Sequence, residues 1–317
     1  MSRRWSIVQV AAALALALAA LAPAPAARAE ELALGVFLPQ ATFATNAERT
    51  EYAQKLAERL TAAVGGDTSF RARVFARRDD ATAFLQARNV DVLVTDGLLL
   101  VDLAGADVVA HALGETSAAL YGRDGVTVEG LAGKTVAVVE AGQDDANFFA
   151  NAALAGELAP KRYFGDLRRS KDAAAAFGAV RASAADAAFG PEGHPAASGL
   201  VLLAKGGALP VAVAAFPVGS RVPATARPTI VAALTGGAGV GGGIKGWTGG
   251  AGDALGKARG LAAATPRVLT ATPILAAGAD EGKLTPPPIR LETSGELPKP
   301  VAPKGVSVAP ELPESGP

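Results

Sequence analysis

The sequence of 317 residues contains no cysteine, one methionine, two histidines and few aromatic residues, which make up 5% of the chain. Without cysteine it can form no disulfide, no thiolate zinc site, no lipid-modified cysteine and no cysteine nucleophile. Its 30 basic and 30 acidic side chains balance, which removes the positive surface expected of a nucleic-acid-binding protein. The composition therefore argues against a disulfide-stabilised domain, a bacterial lipoprotein and a nucleic-acid partner.

The common catalytic motifs are also missing, since there is no G-x-S-x-G, H-E-x-x-H or P-loop. Gly237, Gly239 and Gly242 match G-x-G-x-x-G, but a helix-like segment precedes them where a dinucleotide site needs a strand. His111 lies in an apolar run and His194 in a turn. Two histidines with carboxylates could bind a metal ion, although this spacing matches no known metal motif. We therefore expect no cofactor, no metal ion and no catalytic residue.

Residues 1–29 have the pattern of a secretory signal peptide. Arg3 and Arg4 precede an apolar run from Ile7 to Leu21, and Ala27-Arg28-Ala29 fits the small-x-small cleavage pattern. The run of about 15 residues is shorter than the roughly 20 that a membrane span needs. We expect cleavage near Ala29 rather than a retained anchor, which leaves a soluble periplasmic or otherwise secreted protein. Cleavage removes three arginines and no acid, so the mature chain carries a small negative charge.

After the signal segment, short apolar runs alternate with segments of helical spacing, which predicts an α/β protein with mostly parallel sheets. The clearest helix is Asn46–Val64, with Asn46 as its expected N-cap. Val108–Leu113 and Ser117–Tyr121 are expected to form a strand pair or one bent strand, and Tyr163–Phe164 a short strand.

Two segments do not follow this alternation. Residues 236–260 contain twelve glycines, which predicts a long, mobile or tightly turned loop region. Residues 279–317 contain nine prolines and no aromatic residue, which predicts a disordered or extended tail. The folded part is therefore expected to end near residue 278.

The order of segments resembles a type II periplasmic solute-binding domain. LALGVFLP, AERTEYAQKLAERLTAAVG and FRARVFARRDDATAFLQARNVDVLVTDGLLL follow the strand and helix order of its first half. VEGLAGKTVAVVEAGQDDANFFANAAL resembles the opening of its second lobe, and SKDAAAAFGAVRASAADAAFGP resembles the helix and strand before its return crossover. Within this family, the chain is most similar to the phosphonate- and phosphite-binding proteins of ABC importers.

This resemblance implies two α/β lobes joined by a hinge of two crossovers, with the ligand bound between them. Lobe one would comprise residues 30–115 and 205–278, and lobe two residues 116–204. The implied function is extracytoplasmic capture of a small-molecule ligand and its delivery to the membrane permease of an ABC importer, without catalysis. The family also implies a monomer.

Ligand contacts are expected from the loops at the carboxyl ends of the strands, where open α/β sheets bind ligands. The candidate residues in lobe one and near the hinge are Thr42, Phe43, Thr45, Asn46, Thr95, Asp96 and Tyr121. The candidates in lobe two are Gln143, Asp144 and Asn147.

The family's phosphonate binders carry a Ser/Thr-rich turn where this chain has Glu140–Asp145. A carboxylate about 4 Å from a like charge costs roughly 4 kcal/mol at an effective dielectric constant of about 20. We therefore expect a phosphonate to be disfavoured, whereas Asp96 and Asp144 would suit a ligand that bears an amine or another cation.

The alternative is a binding-protein fold that has lost ligand transport and serves as an envelope interaction or scaffold protein through its Pro-rich tail. Pro286–Pro288 and Pro298–Pro300 would then be short extended docking segments. An enzyme on the same scaffold is a weaker alternative, because no motif supports it.

Overall fold

A computed structural model describes residues 30–102, 105–114, 116–209, 212–237 and 239–265. The predicted signal peptide, residues 1–29, and the predicted Pro-rich tail, residues 279–317, lie outside these ranges. None of the helices within the described ranges is long and apolar enough to cross a membrane.

The described residues form eleven strands and eight α-helices. The strands are β1 (Glu30–Phe37), β2 (Thr68–Val74), β3 (Val92–Asp96), β4 (Asp107–Leu113), β5 (Ser117–Gly122), β6 (Thr135–Val139), β7 (Asp166–Ser170), β8 (Ala187–Pro191), β9 (Val201–Ala208), β10 (Ala212–Phe216) and β11 (Gly246–Gly249). The helices are α1 (Asn46–Val64), α2 (Arg78–Gln86), α3 (Gly97–Asp102), α4 (Asp145–Ala153), α5 (Pro160–Tyr163), α6 (Ala173–Arg181), α7 (Arg227–Thr235) and α8 (Ala254–Ala263). The prediction of an α/β protein is confirmed.

The strands form two mixed sheets. Sheet A has the order β11-β4-β10-β3-β1-β2 and sheet B the order β7-β6-β8-β5-β9. In sheet A, β1 pairs parallel with β2 and β3, while β10 pairs antiparallel with β3 and β4. In sheet B, β6 pairs parallel with β7 and β8, while β5 pairs antiparallel with β8 and β9. The prediction of mostly parallel sheets is wrong. Strand β10 enters sheet A, and β5 enters sheet B, from a crossover at the carboxyl edge, and each runs antiparallel to both of its neighbours.

Three sequence-based assignments are corrected by this topology. Val108–Leu113 and Ser117–Tyr121 are neither a pair nor one strand, because β4 belongs to sheet A and β5 to sheet B. Tyr163 ends helix α5 and the strand follows at Asp166. That strand is largely exposed at a sheet edge, so it shows no apolar run. The glycine-rich segment 236–260 includes β11 and the start of α8.

Helix α1 has the predicted bounds, but its N-cap is Thr45 rather than Asn46. The Thr45 hydroxyl accepts from the Glu48 backbone N–H at 3.2 Å, and the Glu48 carboxylate accepts from the Ala44 N–H at 2.9 Å. These reciprocal bonds satisfy donors that a helix start leaves free. Residues on one face of α1, including Tyr52, Leu56 and Leu60, are buried against sheet A.

Helices cover both faces of each sheet. Side chains of α1 and α7 pack on one face of sheet A, and those of α2, α3 and α8 on the other. Helices α4 and α6 supply the phenylalanines and alanines of the sheet B core, which also includes Leu98 of α3 and Ala258 of α8. The two cores are therefore connected through α3 and α8.

The contact of β9 with α4 requires glycine at one position, and this gives a test of the fold. A Cβ atom at Gly206 would overlap the backbone carbonyl of Ala152, whereas a Cβ at Gly207 would meet open space. Gly206→Ala should lower stability by about 1–3 kcal/mol, since overpacking forces a backbone shift. The melting temperature should fall by about 2–4 °C for each kcal/mol in a domain of this size.

Gly207→Ala is the matched control, because it makes the same chemical change one residue along the same strand. It should leave the melting temperature nearly unchanged in the same circular dichroism scan. Equal effects of the two substitutions would contradict the packing of β9 on α4.

Candidate ligand-binding site

The carboxyl ends of strands from sheet A and sheet B face each other. The loop after β1 meets the start of α6, where the Pro39 carbonyl accepts from the Ala173 N–H at 3.1 Å. A second contact joins the loop after β6 to α3, because the Gln143 N–H donates to the Asp102 carboxylate at 2.9 Å. Gly142 sits against Leu98 there, with no room for a Cβ atom. Loops that follow strands thus enclose a cleft between the sheets, the usual ligand position in open α/β sheets.

A buried ion pair crosses this cleft. Arg49 Nη2 of α1 and Asp172 Oδ2 lie 3.5 Å apart, and each side chain is 5% exposed. Asp172 is also the N-cap of α6, since its Oδ1 accepts from the Ala175 N–H at 2.8 Å. One carboxylate therefore caps a helix beside sheet B and pairs with an arginine beside sheet A.

Asp96 ends β3 and is buried in the same region. Its Oδ2 accepts from the Gln40 backbone N–H at 3.0 Å. Burial raises the pKa of Asp96 to about 7, and the hydrogen bond from Gln40 and the charge of Arg49 only partly oppose this. The ionised carboxylate is therefore incompletely compensated by the protein.

His194 completes the buried polar set from the side of sheet B. Its Nδ1 accepts from the Ala196 N–H at 3.0 Å, and its ring centre lies 5.6 Å from that of Phe177. Burial lowers the pKa of His194 below its usual value of 6.5. The nearby charge of Asp172 acts in the opposite direction but does not offset the effect of burial. The imidazole is therefore neutral at pH 7. His111 is remote from it, in sheet A, where its Nδ1 donates to the Gly250 carbonyl at 2.8 Å.

Some buried polar atoms here have no hydrogen-bond partner within the described part of the chain. They include Gln40 Oε1, Arg49 Nε and Thr95 Oγ1. Burying a polar atom without a partner costs about 1–3 kcal/mol, so most proteins avoid it. The cluster of such atoms in one cleft indicates a place where a ligand or water completes the bonding.

A cavity of about 50 Å³ opens beside Asp96. Polar side chains contribute one side of it, from Gln40, Thr42, Asp96 and Thr116. The rest of the lining is apolar or glycine, from Leu38, Ala41, Ala112, Leu113, Gly114, Leu209, Ala212, Gly242, Gly243 and Ile244. We call it the Asp96 cavity.

The structure brings only part of the sequence-predicted site together around this cavity. Thr42 and Asp96 line it, and Thr95 is buried next to Asp96. Phe43, Thr45 and Asn46 line a neighbouring opening together with Arg49, Lys171 and Asp172. Tyr121 is buried in sheet B, where its hydroxyl accepts from the Gly193 N–H at 3.2 Å.

The lobe-two candidates Gln143, Asp144 and Asn147 line a different cavity, at the start of α4 beside Lys161 and Arg169. Asp144 is exposed and its side chain does not cap α4. Asp145 holds the turn instead, with Oδ1 accepting from the Ala141 and Gly142 N–H groups. Asp96 and Asp144 therefore line separate cavities.

Sequence reasoning missed Gln40, Arg49, Asp172 and His194 as cleft residues. Arg49 carries a signal that could have identified it, because it precedes Tyr52 by three residues and Leu56 by seven. These intervals place a charged residue on the apolar face of the helix. Asp172 caps α6 through its side chain. Nothing in the sequence indicates that it faces Arg49.

Comparisons with known proteins bear on the fold. No family model and no curated protein matches the chain. A binding-protein component of an ABC phosphonate transporter from Pseudomonas aeruginosa superposes with a TM-score of 0.57 at 10% identity, over 73% of this chain and 85% of that one. PhnD1 from Prochlorococcus marinus, in complex with methylphosphonate, superposes with a TM-score of 0.57 at 13% identity, over 73% of this chain and 96% of that one.

A Xanthomonas citri protein bound to ATP gives a TM-score of 0.53 at 13% identity, over 74% of this chain and 96% of that one. The chain has the two-lobed periplasmic binding protein fold. The resemblance expected from the sequence is therefore confirmed for the fold, and at such low identity for the fold alone. In this fold, sheets A and B are the sheets of the first and second lobes.

The buried position of Asp96 predicts an unusual effect on stability. The pKa of Asp96 in the folded protein is about 7, above the value near 3.9 of an unfolded chain. The folded state therefore loses stability as the pH rises from about 4 to about 7. Asp96→Asn cannot ionise, so its melting temperature should exceed that of the wild type at about pH 8 and approach it at about pH 4.

The matched control is Asp67→Asn, at an exposed aspartate of the same lobe. It should follow the wild type at both pH values in the same calorimetric scans. A destabilised Asp96→Asn variant at the higher pH would show that the ionised carboxylate is fully compensated and would contradict the argument.

Proposed function

We propose that this protein is an extracytoplasmic solute-binding protein that captures one small ligand between its lobes and delivers it to the permease of an ABC importer, without catalysis. The observation that carries this proposal is the cleft itself, where Asp96 and the unpaired atoms of Gln40, Arg49 and Thr95 are buried between facing strand ends. Solved proteins of the same fold that serve an ABC phosphonate transporter support the importer role.

The hinge and the lobe boundaries belong to this proposal. Lobe one would comprise residues 30–115 and 205–278, and lobe two residues 116–204. The membership of β1–β4, β10 and β11 in sheet A and of β5–β9 in sheet B supports this division except at residues 205–208, which end β9 and pair with β5 in sheet B. Gly114, Thr116, Leu209 and Ala212 flank the two crossovers and line the Asp96 cavity, so ligand contact and hinge motion would occur at one place.

We place the ligand in the Asp96 cavity, against Thr42 and Asp96. Phe43, Thr45 and Asn46 would border its neighbouring opening, and Thr95 and Tyr121 would support the walls. Gln143, Asp144 and Asn147 would contact solutes only at their separate cavity. We retain a signal peptide cleaved near Ala29, a periplasmic or secreted location and a monomeric state as parts of the proposal. The alternative scaffold function rests on the tail, which lies outside the described residues.

A variant that fills the Asp96 cavity tests the proposal. Leu113 lines the cavity and is 48% exposed, so tryptophan fits there without burial in the core. Purified full chain should be screened by thermal unfolding against amines, amino acids, phosphonates, phosphite and metal ions. A ligand at about 100 times its dissociation constant stabilises by about 2.7 kcal/mol, which corresponds to about 5–10 °C. Leu113→Trp should abolish the shift.

Val218→Trp is the matched control, because Val218 is 55% exposed and lies after β10 rather than in the cavity. It should respond to the same compounds as the wild type. Shifts of equal size in Leu113→Trp would place binding elsewhere. No shift with any compound, in wild type and control alike, would contradict ligand capture.

A further inference from the structure

We propose that the ligand of the Asp96 cavity presents a single positive charge on an apolar body, as a protonated alkylamine does, and that Asp96 is its counter-ion. This inference rests on the proposed function and adds the chemical class of the ligand. It depends on one aspartate, not on the joint action of Asp96 and Asp144.

The first argument is the charge balance of the buried cleft, counted over the residues that the structure describes. Arg49 is positive and pairs with Asp172, which is negative. His194 is neutral at pH 7, because burial lowers its pKa. The carboxylate of Asp96 is then left over. One monovalent cation would bring the buried set to neutrality, and burying an uncompensated charge is costly.

The second argument is that Arg49 is not available to neutralise Asp96. Its guanidinium faces Asp172 and lies 6.0 Å from the ring centre of Phe43. Arg49 lines the neighbouring opening with Lys171 but not the Asp96 cavity. Lys171 is exposed and therefore solvated. An anion in the Asp96 cavity would meet a carboxylate, and none of the residues that line the cavity is positively charged.

The third argument is the chemistry of the cavity wall. An ammonium group has three N–H donors and no acceptor. Beside Asp96 the cavity offers Gln40, whose buried Oε1 lacks a partner, and the hydroxyl of Thr42. The rest of the lining is apolar or glycine, with Leu38, Leu209 and Ile244 among its larger side chains. Such a wall excludes water from a hydrocarbon chain and gives no partner to a second polar group.

The experiment compares four probes of similar size that differ in charge: n-butylammonium, 1-butanol, butyrate and methylphosphonate. Binding to the full chain should be measured by isothermal titration calorimetry. Trp247 fluorescence supplies a second readout, because Trp247 pairs with the cavity residue Ala112 across β4 and β11. We expect butylammonium to bind and the neutral and anionic probes to bind at least about tenfold more weakly.

Two variants assign the effect to Asp96. Asp96→Asn keeps the size of the side chain and should weaken butylammonium binding by about tenfold to a hundredfold, because a hydrogen bond to a charged group is lost. Asp67→Asn, at an exposed position outside the cavity, should bind like the wild type. The melting temperature of each variant shows whether it is folded.

The pH profile provides an independent readout. Since burial raises the pKa of Asp96 to about 7, wild-type affinity for butylammonium should fall as the pH drops below about 7. His194 does not account for the start of this loss, because burial lowers its pKa below the usual value. Asp96→Asn should lack this dependence.

Preference for butyrate or methylphosphonate, or an Asp96→Asn variant that binds butylammonium as tightly as the wild type, would overturn the charge assignment. Failure of all four probes to bind would overturn it as well. The comparison of Leu113→Trp with Val218→Trp against the wider panel does not depend on ligand charge. It therefore decides separately whether ligand capture also fails.

Discussion

The buried ion pair of Arg49 and Asp172 links the two lobes across the cleft. It joins α1 of the first lobe to the first turn of α6 in the second, next to the hydrogen bond between Pro39 and Ala173. Buried ion pairs contribute little net stability, because removing two charges from water costs about as much as their attraction returns. Opening the cleft would rehydrate both ions. The contact thus fixes how the two lobes meet without adding much stability, as the proposed capture and release of a ligand would require.

The proposed function would require a shallow balance between open and closed lobes. A ligand shifts a conformational equilibrium only by the difference in its affinity for the two states. The Asp96 cavity is lined by the loop after β1, the end of β3 and both crossovers, so closure completes its wall. Asp96 is buried there, and Gln40 Oε1 has no hydrogen-bond partner among the described residues. Such groups lower the stability of the free protein, and sites of function commonly carry this cost.

The sequence alone was sufficient for elements with strong local patterns. Helix α1 has the bounds that its apolar spacing predicts. Strand β7 was missed because its side chains are mostly exposed at a sheet edge. Helix α8 was missed because it starts within the glycine-rich segment and its fully buried residues, Ala254 and Ala258, are small.

The sequence predicted which loops contribute to the candidate site, but not which residues meet there. Loops after β1 and β3 could be named from sequence, and Thr42 and Asp96 do line the cavity. Which residues meet across the cleft depends on how two separately folded sheets approach. Arg49 faces Asp172, which is 123 residues away in the sequence. No local sequence pattern predicts a contact between residues so far apart. Asp96 and Asp144 were grouped by charge, yet the approach of the lobes puts them in separate cavities.

Helix α8 is a further connection between the two lobes, in addition to the two crossovers. The helix packs closely against α3 of the first lobe. A Cβ atom placed on Gly97 would lie 3.5 Å from the Ala258 Cβ. Its end is held by the second lobe, because Asn151 Nδ2 donates to the Leu261 and Ala264 carbonyls at 2.7 and 2.9 Å. These bonds satisfy carbonyls that a helix end leaves free, so the end of α8 would move with lobe two. The interface with α3 combines the small residues Ala254 and Ala258 with leucines of both helices, Leu98, Leu99 and Leu255 among them. Helix α8 therefore links the two lobes in addition to the crossovers.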